Sequence, residues 1–147
     1  MPQSLSSILI HLVFSTKNRE PFITDEVEPE LHKYLAIIFK ACDSPAILIG
    51  GERDHLHALL TLSRTWAIAD VVKETKASSS KWMKTKVGEF QWQAGYGAFS
   101  IGQSGVAGVK KYIAEQKEHH RKRSFQEEFR GLCQKYEVEF DARYVWD

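Results

Sequence analysis

The amino-acid sequence predicts an α+β fold with a ferredoxin-like split βαβ arrangement. Stretches in which every second residue is apolar are typical of strands, and stretches with apolar residues three and four apart are typical of helices. They follow one another as strand, helix, strand, strand, helix, strand and then further helix. In the split βαβ arrangement this order gives one antiparallel sheet with helices on one face. With 147 residues, of which 43% are hydrophobic, the chain is expected to form a single domain over residues 1–147.

The first half of the chain contains three predicted strands and one helix. The strands are expected at residues 4–15, 46–49 and 55–62. The helix lies between the first two strands, with Asp25 as a capping residue and helical spacing that continues to about Ala41. Residues 50–54 begin with two glycines and are expected to form a turn.

The second half of the chain contains the remaining elements. A second helix is expected at residues 65–86, a strand or hairpin at 90–99, a third helix from Gly105 to about Gln116, and a further helix at 125–136. The third helix is a C-terminal addition to the split βαβ unit and carries Tyr112. Candidates for stacking on nucleic-acid bases are Trp92, Tyr96 and Phe99, although core packing is expected for at least two of them.

The third strand has two chemically different faces. One face is formed by the side chains of Leu56, Ala58, Leu60 and Leu62, and the other by those of His55, His57, Leu59 and Thr61. Because the leucine-rich face is expected to pack under helices, we expect both histidines on the open face of the sheet.

His55 and His57 form one half of a candidate site. Residues two apart in a strand point to the same face, so both imidazoles can reach one metal ion. Asp54 either orients one of these imidazoles or serves only as a turn residue. A His-x-His pair on its own is weak evidence for a metal site, because histidines on a sheet surface are often only solvated.

Tyr112 and Gln116 form the other half of the candidate site. They are four residues apart, so the phenol and the amide lie side by side on one helix face. With the two histidines they supply nitrogen ligands, an amide oxygen and a phenol, which suit metal-assisted chemistry with a tyrosine nucleophile. The reaction that most needs this set is cleavage of a DNA strand through a covalent phosphotyrosine. Tyr112 alone also fits packing at the edge of the core.

The formal charge of +1, from 20 basic and 19 acidic residues, does not by itself indicate a nucleic-acid-binding protein. Positive residues are instead grouped around Tyr112, at Lys110, Lys111 and residues 119–123. This grouping favours contact with phosphates, and solvated helix faces are the alternative. His11 on the first strand either supports the metal site from behind or is a hydrogen-bonded histidine of the core.

The sequence predicts a cytoplasmic protein without membrane contact. Its longest apolar run, residues 8–14, is too short to cross a bilayer, and the N-terminus lacks the pattern of a signal peptide. Cys42 and Cys133 have neither metal-type nor redox-type spacing and are expected to be reduced thiols.

Five stretches of the sequence resemble a known family, in the order of that family and over nearly the whole chain. They are HLVFSTKNR at residues 11–19, DHLH at 54–57, KASSSKW at 76–82, WQAGYGAF at 92–99 and YIAEQKEHHRKRSFQEEF at 112–129. The chain is similar to the HUH-type single-strand DNA transposases, which are the small single-tyrosine enzymes of simple bacterial insertion sequences and their REP-associated relatives.

This resemblance implies a role for each half of the site. His55 and His57 would be the histidine metal ligands, Gln116 the third protein ligand and Tyr112 the nucleophile. The enzyme would cleave and rejoin single-stranded DNA through a 5′-phosphotyrosine and would recognise hairpins at the ends of its element. The resemblance also implies a homodimer in which the Tyr112 helix of one subunit serves the histidine pair of the other. Nitrogen and oxygen ligands without cysteine suit Mg²⁺ or Mn²⁺.

Three alternatives remain open. A domesticated relative would bind DNA hairpins or nick single strands without transposing. A non-catalytic module of the RNA-recognition type would bind through aromatic residues on an open sheet face. A metal hydrolase would activate water, with Tyr112 serving only to stabilise the fold.

Overall fold

The computed structural model describes residues 2–119 and 122–146, and its strands and helices alternate in the order predicted from the sequence. The strands are β1 (Leu9–Ser15), β2 (Ala46–Glu52), β3 (His55–Thr61) and β4 (Gly97–Ile101). The α-helices in the described part of the chain are α1 (Glu28–Ala41), α2 (Ile68–Met83), α3 (Val106–Ala114), α4 (Gln116–His119) and α5 (Phe125–Lys135).

The four strands form one sheet in the order β2-β3-β1-β4, and every neighbouring pair is antiparallel. This order is that of the split βαβ arrangement, so the predicted α+β, ferredoxin-like fold class is confirmed. The register of β1 against β3 pairs Val13 with His57 and Ser15 with His55. The histidine pair therefore lies on a strand with neighbours on both sides.

The main hydrophobic core lies between α1, α2 and one face of the sheet. Leu56, Ala58 and Leu60 of β3 belong to it, as the sequence predicts. Residues of α1 four positions apart, Leu31 and Leu35, are fully buried in this core. The leucine-rich face of β3 is thus held under helices.

The opposite face of the sheet is covered as well, and the prediction of an open histidine face is wrong. His55 and His57 have exposed fractions of 1% and 0%. A second apolar cluster on this face joins the sheet to α5, and its buried members are Val13, Phe99, Phe125, Phe129, Leu132 and Cys133. The apolar stripe of α5 needs a surface to cover, and the histidine face of the sheet supplies it.

The turn predicted at residues 50–54 is present only at Arg53 and Asp54, because Gly50 and Gly51 lie in β2. A Cβ atom at Gly50 would lie 2.5 Å from the backbone oxygen of Ile113 in α3. Glycine at this position therefore allows α3 to approach the sheet closely. This close approach brings the chain of α3 against the strand next to β3.

Several element ends differ from the predictions for local reasons. Asp25 does not cap α1, because the helix begins at Glu28 and Val27 occupies the capping position. The Asp25 carboxylate instead accepts a hydrogen bond from Arg53 at 3.0 Å. The predicted third helix is two helices, since α3 ends at Ala114 and α4 begins at Gln116. By contrast, α5 has the side-chain cap expected of its sequence, with the Ser124 hydroxyl accepting the Glu127 N–H.

Two of the three candidate stacking residues belong to the core, as expected. Trp92 is 8% exposed and its indole N–H donates to the Ser79 hydroxyl at 2.9 Å. Phe99 is 4% exposed, whereas Tyr96 is 38% exposed. Within the described ranges, the helices are too short or too polar to cross a bilayer.

Candidate active site

The backbone of β3 places His55 and His57 on the same side of the sheet, and neighbouring groups fix each ring. Nδ1 of His55 lies 2.7 Å from a carboxylate oxygen of Asp54. The ring of His55 also stacks on Phe125 of α5, with the centroids 4.8 Å apart. Asp54 is therefore an orienting partner of His55, and the other ring nitrogen, Nε2, faces the site interior, 3.0 Å from Oε1 of Gln116.

His57 has a different partner on each ring nitrogen. Nδ1 lies 2.8 Å from Nε2 of His11, and Nε2 lies 2.7 Å from Oε1 of Glu128. His11 is 1% exposed, and its hydrogen bond to His57 supports the site from behind. It is at the same time a hydrogen-bonded histidine of the interior, so both descriptions given from the sequence apply.

Burial lowers the pKa of His11 to about 3, and the nearby His57 adds to the shift. An unfolded chain takes up this proton near the ordinary value of 6.5. Between about pH 3 and pH 6.5 the unfolded chain therefore binds a proton at His11 that the folded chain does not. The free energy of unfolding is greatest above pH 6.5 and falls as the pH drops through this range.

We expect the His11→Gln protein to lose less free energy of unfolding on acidification than the parent protein does. The difference should be up to about 1.4 kcal/mol per pH unit. Urea unfolding of both proteins at about pH 7 and about pH 5 measures the difference. Equal changes in the free energy of unfolding for the two proteins would contradict the prediction.

Gln116 reaches the histidines from α4. Its Oε1 lies 3.0 Å from Nε2 of His55, and its Nε2 donates to the backbone oxygen of Tyr112 at 3.3 Å. The break between α3 and α4 does not separate the two residues, and the side chain of Gln116 is 1% exposed. The amide oxygen is thus directed toward the same point as the imidazoles.

Tyr112 lies beside the histidine pair within one chain. Its ring centroid is 5.7 Å from that of His57, and its ring stacks on His119 with the centroids 4.8 Å apart. Nη2 of Arg123 donates to the phenol oxygen at 3.3 Å. All four residues chosen from the sequence are therefore brought together, although they come from β3, α3 and α4.

The environment of Tyr112 opposes ionisation of the phenol. Burial raises the pKa of Tyr112 well above its usual range, and the charge and hydrogen bond of Glu128 raise it further. Arg123 acts in the opposite direction. The phenol of Tyr112 therefore needs additional positive charge nearby if the phenolate is to form near neutral pH.

Glu128 is the site residue that sequence reasoning missed. It lies on α5, is fully buried, and has Oε1 2.7 Å from Nε2 of His57 and 3.7 Å from Nε2 of His55. A signal for it was present in the sequence. Glu128 is three residues after Phe125 and four before Leu132, which places a carboxylate on the apolar stripe of the helix.

The donor atoms of this site fit a divalent cation. Nε2 of His55, Nε2 of His57 and an oxygen of Glu128 lie within 4.8 Å of one another. Neighbouring ligands of a six-coordinate ion such as Mg²⁺ are about 3 Å apart, and Oε1 of Gln116 lies 3.0 Å from Nε2 of His55. Two imidazoles, a carboxylate and an amide oxygen also form a ligand set of the kind that Mn²⁺ and Mg²⁺ accept.

The basic residues near Tyr112 make different contacts. Lys110 and Lys111 are exposed on α3, and the cation in contact with the phenol is Arg123. Of the predicted cluster at 119–123, His120 and Arg121 lie outside the described residues. Positive charge is thus present at the phenol of Tyr112, supplied by the segment that precedes α5.

Known proteins resemble this chain over most of its length. Residues 4–116 match the family described as "Transposase IS200 like". The chain is 29% identical over 114 residues to ISDra2 transposase TnpA of Deinococcus radiodurans, an alignment that covers 72% of this chain and 81% of the relative.

Two solved structures share the fold. One is the crystal structure of a protein from Deinococcus radiodurans R1 assigned as a transposase, with a TM-score of 0.63, 23% identity, and coverage of 77% of this chain and 93% of that one. The other is a REP-associated tyrosine transposase bound to a REP hairpin, with a TM-score of 0.61, 15% identity, and coverage of 80% and 71%. Because the family match spans most of the sequence and the fold agrees with both structures, this chain belongs to the IS200-like transposase family.

Proposed function

We propose that this protein, acting as one domain over residues 1–147, cleaves and rejoins single-stranded DNA through a 5′-phosphotyrosine on Tyr112. The observation that carries the proposal is the position of Tyr112 beside the imidazoles of His55 and His57, with 5.7 Å between the ring centroids of Tyr112 and His57. A phenol beside a buried set of metal-ligating groups suits nucleophilic attack on a phosphodiester.

In the proposed reaction the phenol oxygen of Tyr112 forms a bond to the scissile phosphorus. The bond from phosphorus to the 3′ oxygen breaks, and that oxygen leaves as a 3′-hydroxyl after taking a proton. The phosphotyrosine conserves the phosphodiester bond, so attack by a second 3′-hydroxyl rejoins the strand without ATP. Arg123, which donates to the phenol oxygen at 3.3 Å, offsets part of the cost of forming the phenolate.

We propose Mg²⁺ or Mn²⁺ as the cofactor. His55, His57 and Gln116 would hold the ion, as the resemblance implies, and the buried carboxylate of Glu128 would be a further ligand. When bound, the ion would neutralise charge on the phosphate and lower the cost of the phenolate.

Covalent attachment to DNA tests the proposal. Incubation of the protein with single-stranded DNA from the flanks of its gene and with Mg²⁺ or Mn²⁺ should give a protein–DNA adduct stable to denaturing electrophoresis. The adduct should carry the 5′ end of the cleaved fragment and should not form when the metal is chelated before the DNA is added. Cleavage without strand transfer would indicate a nicking enzyme that no longer transposes, and hairpin binding without any cleavage would contradict the proposal.

The substitution Glu128→Gln should weaken metal binding by about 10- to 100-fold, because it removes a buried negative charge while keeping the shape of the side chain. The binding of Mn²⁺, followed by electron paramagnetic resonance, measures this effect without DNA. Glu127→Gln is the matched control, since Glu127 is exposed on the same turn of α5. Equal affinity in the two variants would show that Glu128 is not a ligand.

We propose that the DNA substrate is a single strand flanked by a hairpin. The protein would act on it in the cytoplasm, in association with the nucleoid. One structural relative is a REP-associated tyrosine transposase bound to a REP hairpin, which supports this substrate class. Single strands are also the form of DNA whose backbone can enter a narrow, mostly buried site.

The proposed homodimer with shared sites has a direct test. A mixture of Tyr112→Phe and His57→Gln proteins should regain cleavage if the tyrosine of one subunit serves the histidines of the other. If each chain instead uses its own tyrosine, whose ring centroid lies 5.7 Å from that of His57 in the same chain, the mixture should remain inactive and the sharing of sites would be contradicted.

A further inference from the structure

A cavity of about 630 Å³ opens beside Tyr112, between α3 and α5. Tyr112, His11 and Glu128 are among its lining residues, so the cavity is continuous with the proposed active site. Its volume falls within the range of about 300–1,000 Å³ found for sites that bind small organic groups. A substrate held at Tyr112 can therefore extend into it.

The space exists because α3 begins with residues that have no side chain on the face leading to Tyr112. Gly108 and Gly105 precede Tyr112 by four and seven residues, which places all three on one face of the helix. Both glycines line the cavity. A Cβ atom at Gly108 would meet nothing within 4 Å, and one at Gly105 would meet only Cγ2 of Ile101 at 3.4 Å.

The remaining walls combine apolar and aromatic surface with positive charge. Val109, Leu132 and the half-buried ring of Tyr136 form the apolar part. Tyr136 stacks on buried Phe99 with the ring centroids 4.9 Å apart, which fixes its position. Arg123 and Lys135 add two cations.

This combination is the one that single-stranded nucleic acids require. Apolar and aromatic surface accepts a base of any sequence, and cations accept the phosphates on either side of it. Arg123 is already in contact with the phenol at which the scissile phosphate would react. A base next to that phosphate would then lie toward Tyr136.

We propose that this cavity binds the base of a nucleotide adjacent to the scissile phosphate of single-stranded DNA. Its outer wall is α5, the helix that also carries Glu128. The proposal rests on the proposed function of Tyr112 and specifies where the substrate strand lies.

Photochemical crosslinking tests the pocket without requiring cleavage. The probe is a pool of single-stranded DNA of random sequence in which 5-iodouracil replaces thymine, because this base crosslinks to nearby aromatic side chains on irradiation. We expect a crosslink to Tyr136, located by mass spectrometry, in the full-length protein. Filling the cavity with the substitution Gly108→Leu should reduce the crosslink by at least about tenfold.

The control is Gly88→Leu, since Gly88 is exposed in the connection after α2 and a Cβ there also meets nothing within 4 Å. Both variants should melt at or above the temperature of the parent protein, and both should bind Mn²⁺ as the parent does. An undiminished crosslink in Gly108→Leu, or an equal loss in Gly88→Leu, would overturn the proposal, as would the absence of any crosslink to Tyr136.

The covalent adduct assay separates this proposal from the one on which it rests. If the parent protein crosslinks through Tyr136 but forms no adduct, the base pocket stands and the proposed chemistry of Tyr112 fails. If the adduct forms equally fast in Gly108→Leu and in the parent, the chemistry stands and the base pocket fails.

Discussion

The substitution Tyr112→Phe is expected to abolish formation of the covalent DNA adduct, with a loss of at least about a thousandfold. The change removes only the phenol oxygen, which is the proposed nucleophile, and keeps the ring that stacks on His119. Hairpin binding should be nearly unchanged. Denaturing electrophoresis of labelled DNA measures the adduct, and fluorescence anisotropy measures binding.

A matched variant separates this effect from the general loss of a tyrosine. Tyr34 lies on α1 and stacks on Trp82, with 5.3 Å between the ring centroids, in contact with the core on the other side of the sheet. Tyr34→Phe should form the adduct at the parent rate. Persistent DNA cleavage in Tyr112→Phe would instead favour a hydrolase that activates water, with Tyr112 serving only the fold.

The substitution His57→Ala is expected both to remove metal binding and to destabilise the fold by about 3–5 kcal/mol. The imidazole is completely buried, and its removal leaves the carboxylate of Glu128 and the ring of His11 without their shared partner. An open sheet face would have allowed this substitution at little cost. Urea unfolding in the absence of metal measures the free energy.

His32→Ala is the control for this prediction, since His32 is only partly buried on α1. If His57→Ala fails to fold, His57→Gln keeps a hydrogen-bonding side chain, and its affinity for Mn²⁺ tests the ligand assignment directly. A His57→Ala protein as stable as the parent, with unchanged Mn²⁺ affinity, would show that this imidazole neither binds metal nor stabilises the interior.

The strands and helices were largely predictable because their signals are local. Alternation along β3 separated Leu56 from His55 and His57, and the structure places the two sets on opposite faces of the sheet. Helical spacing likewise placed Tyr112 and Gln116 near each other, even though a break at Glu115 divides their helix. The order of the elements was sufficient to predict the antiparallel sheet.

Predictions that depended on contact between distant segments were less complete. The turn predicted at residues 50–54 is confined to Arg53 and Asp54, since Gly50 and Gly51 continue β2. At Gly50 the approach of α3 uses the space that a side chain would fill. Positive charge was expected around Tyr112 at Lys110, Lys111 and residues 119–123, but only the packing of the chain shows that Arg123 contacts the phenol. Each difference depends on how two elements pack, which periodicity does not describe.

The sequence by itself determined which residues share a strand face or a helix face, because those relations follow from the repeat of the backbone. Only the tertiary structure decided that α5 covers the histidines and brings Glu128 to His57 across 71 positions of sequence. The physical reason is that an apolar stripe specifies that a helix must be covered without specifying which surface covers it. The depth of the site and its carboxylate therefore depend on the docking of one helix.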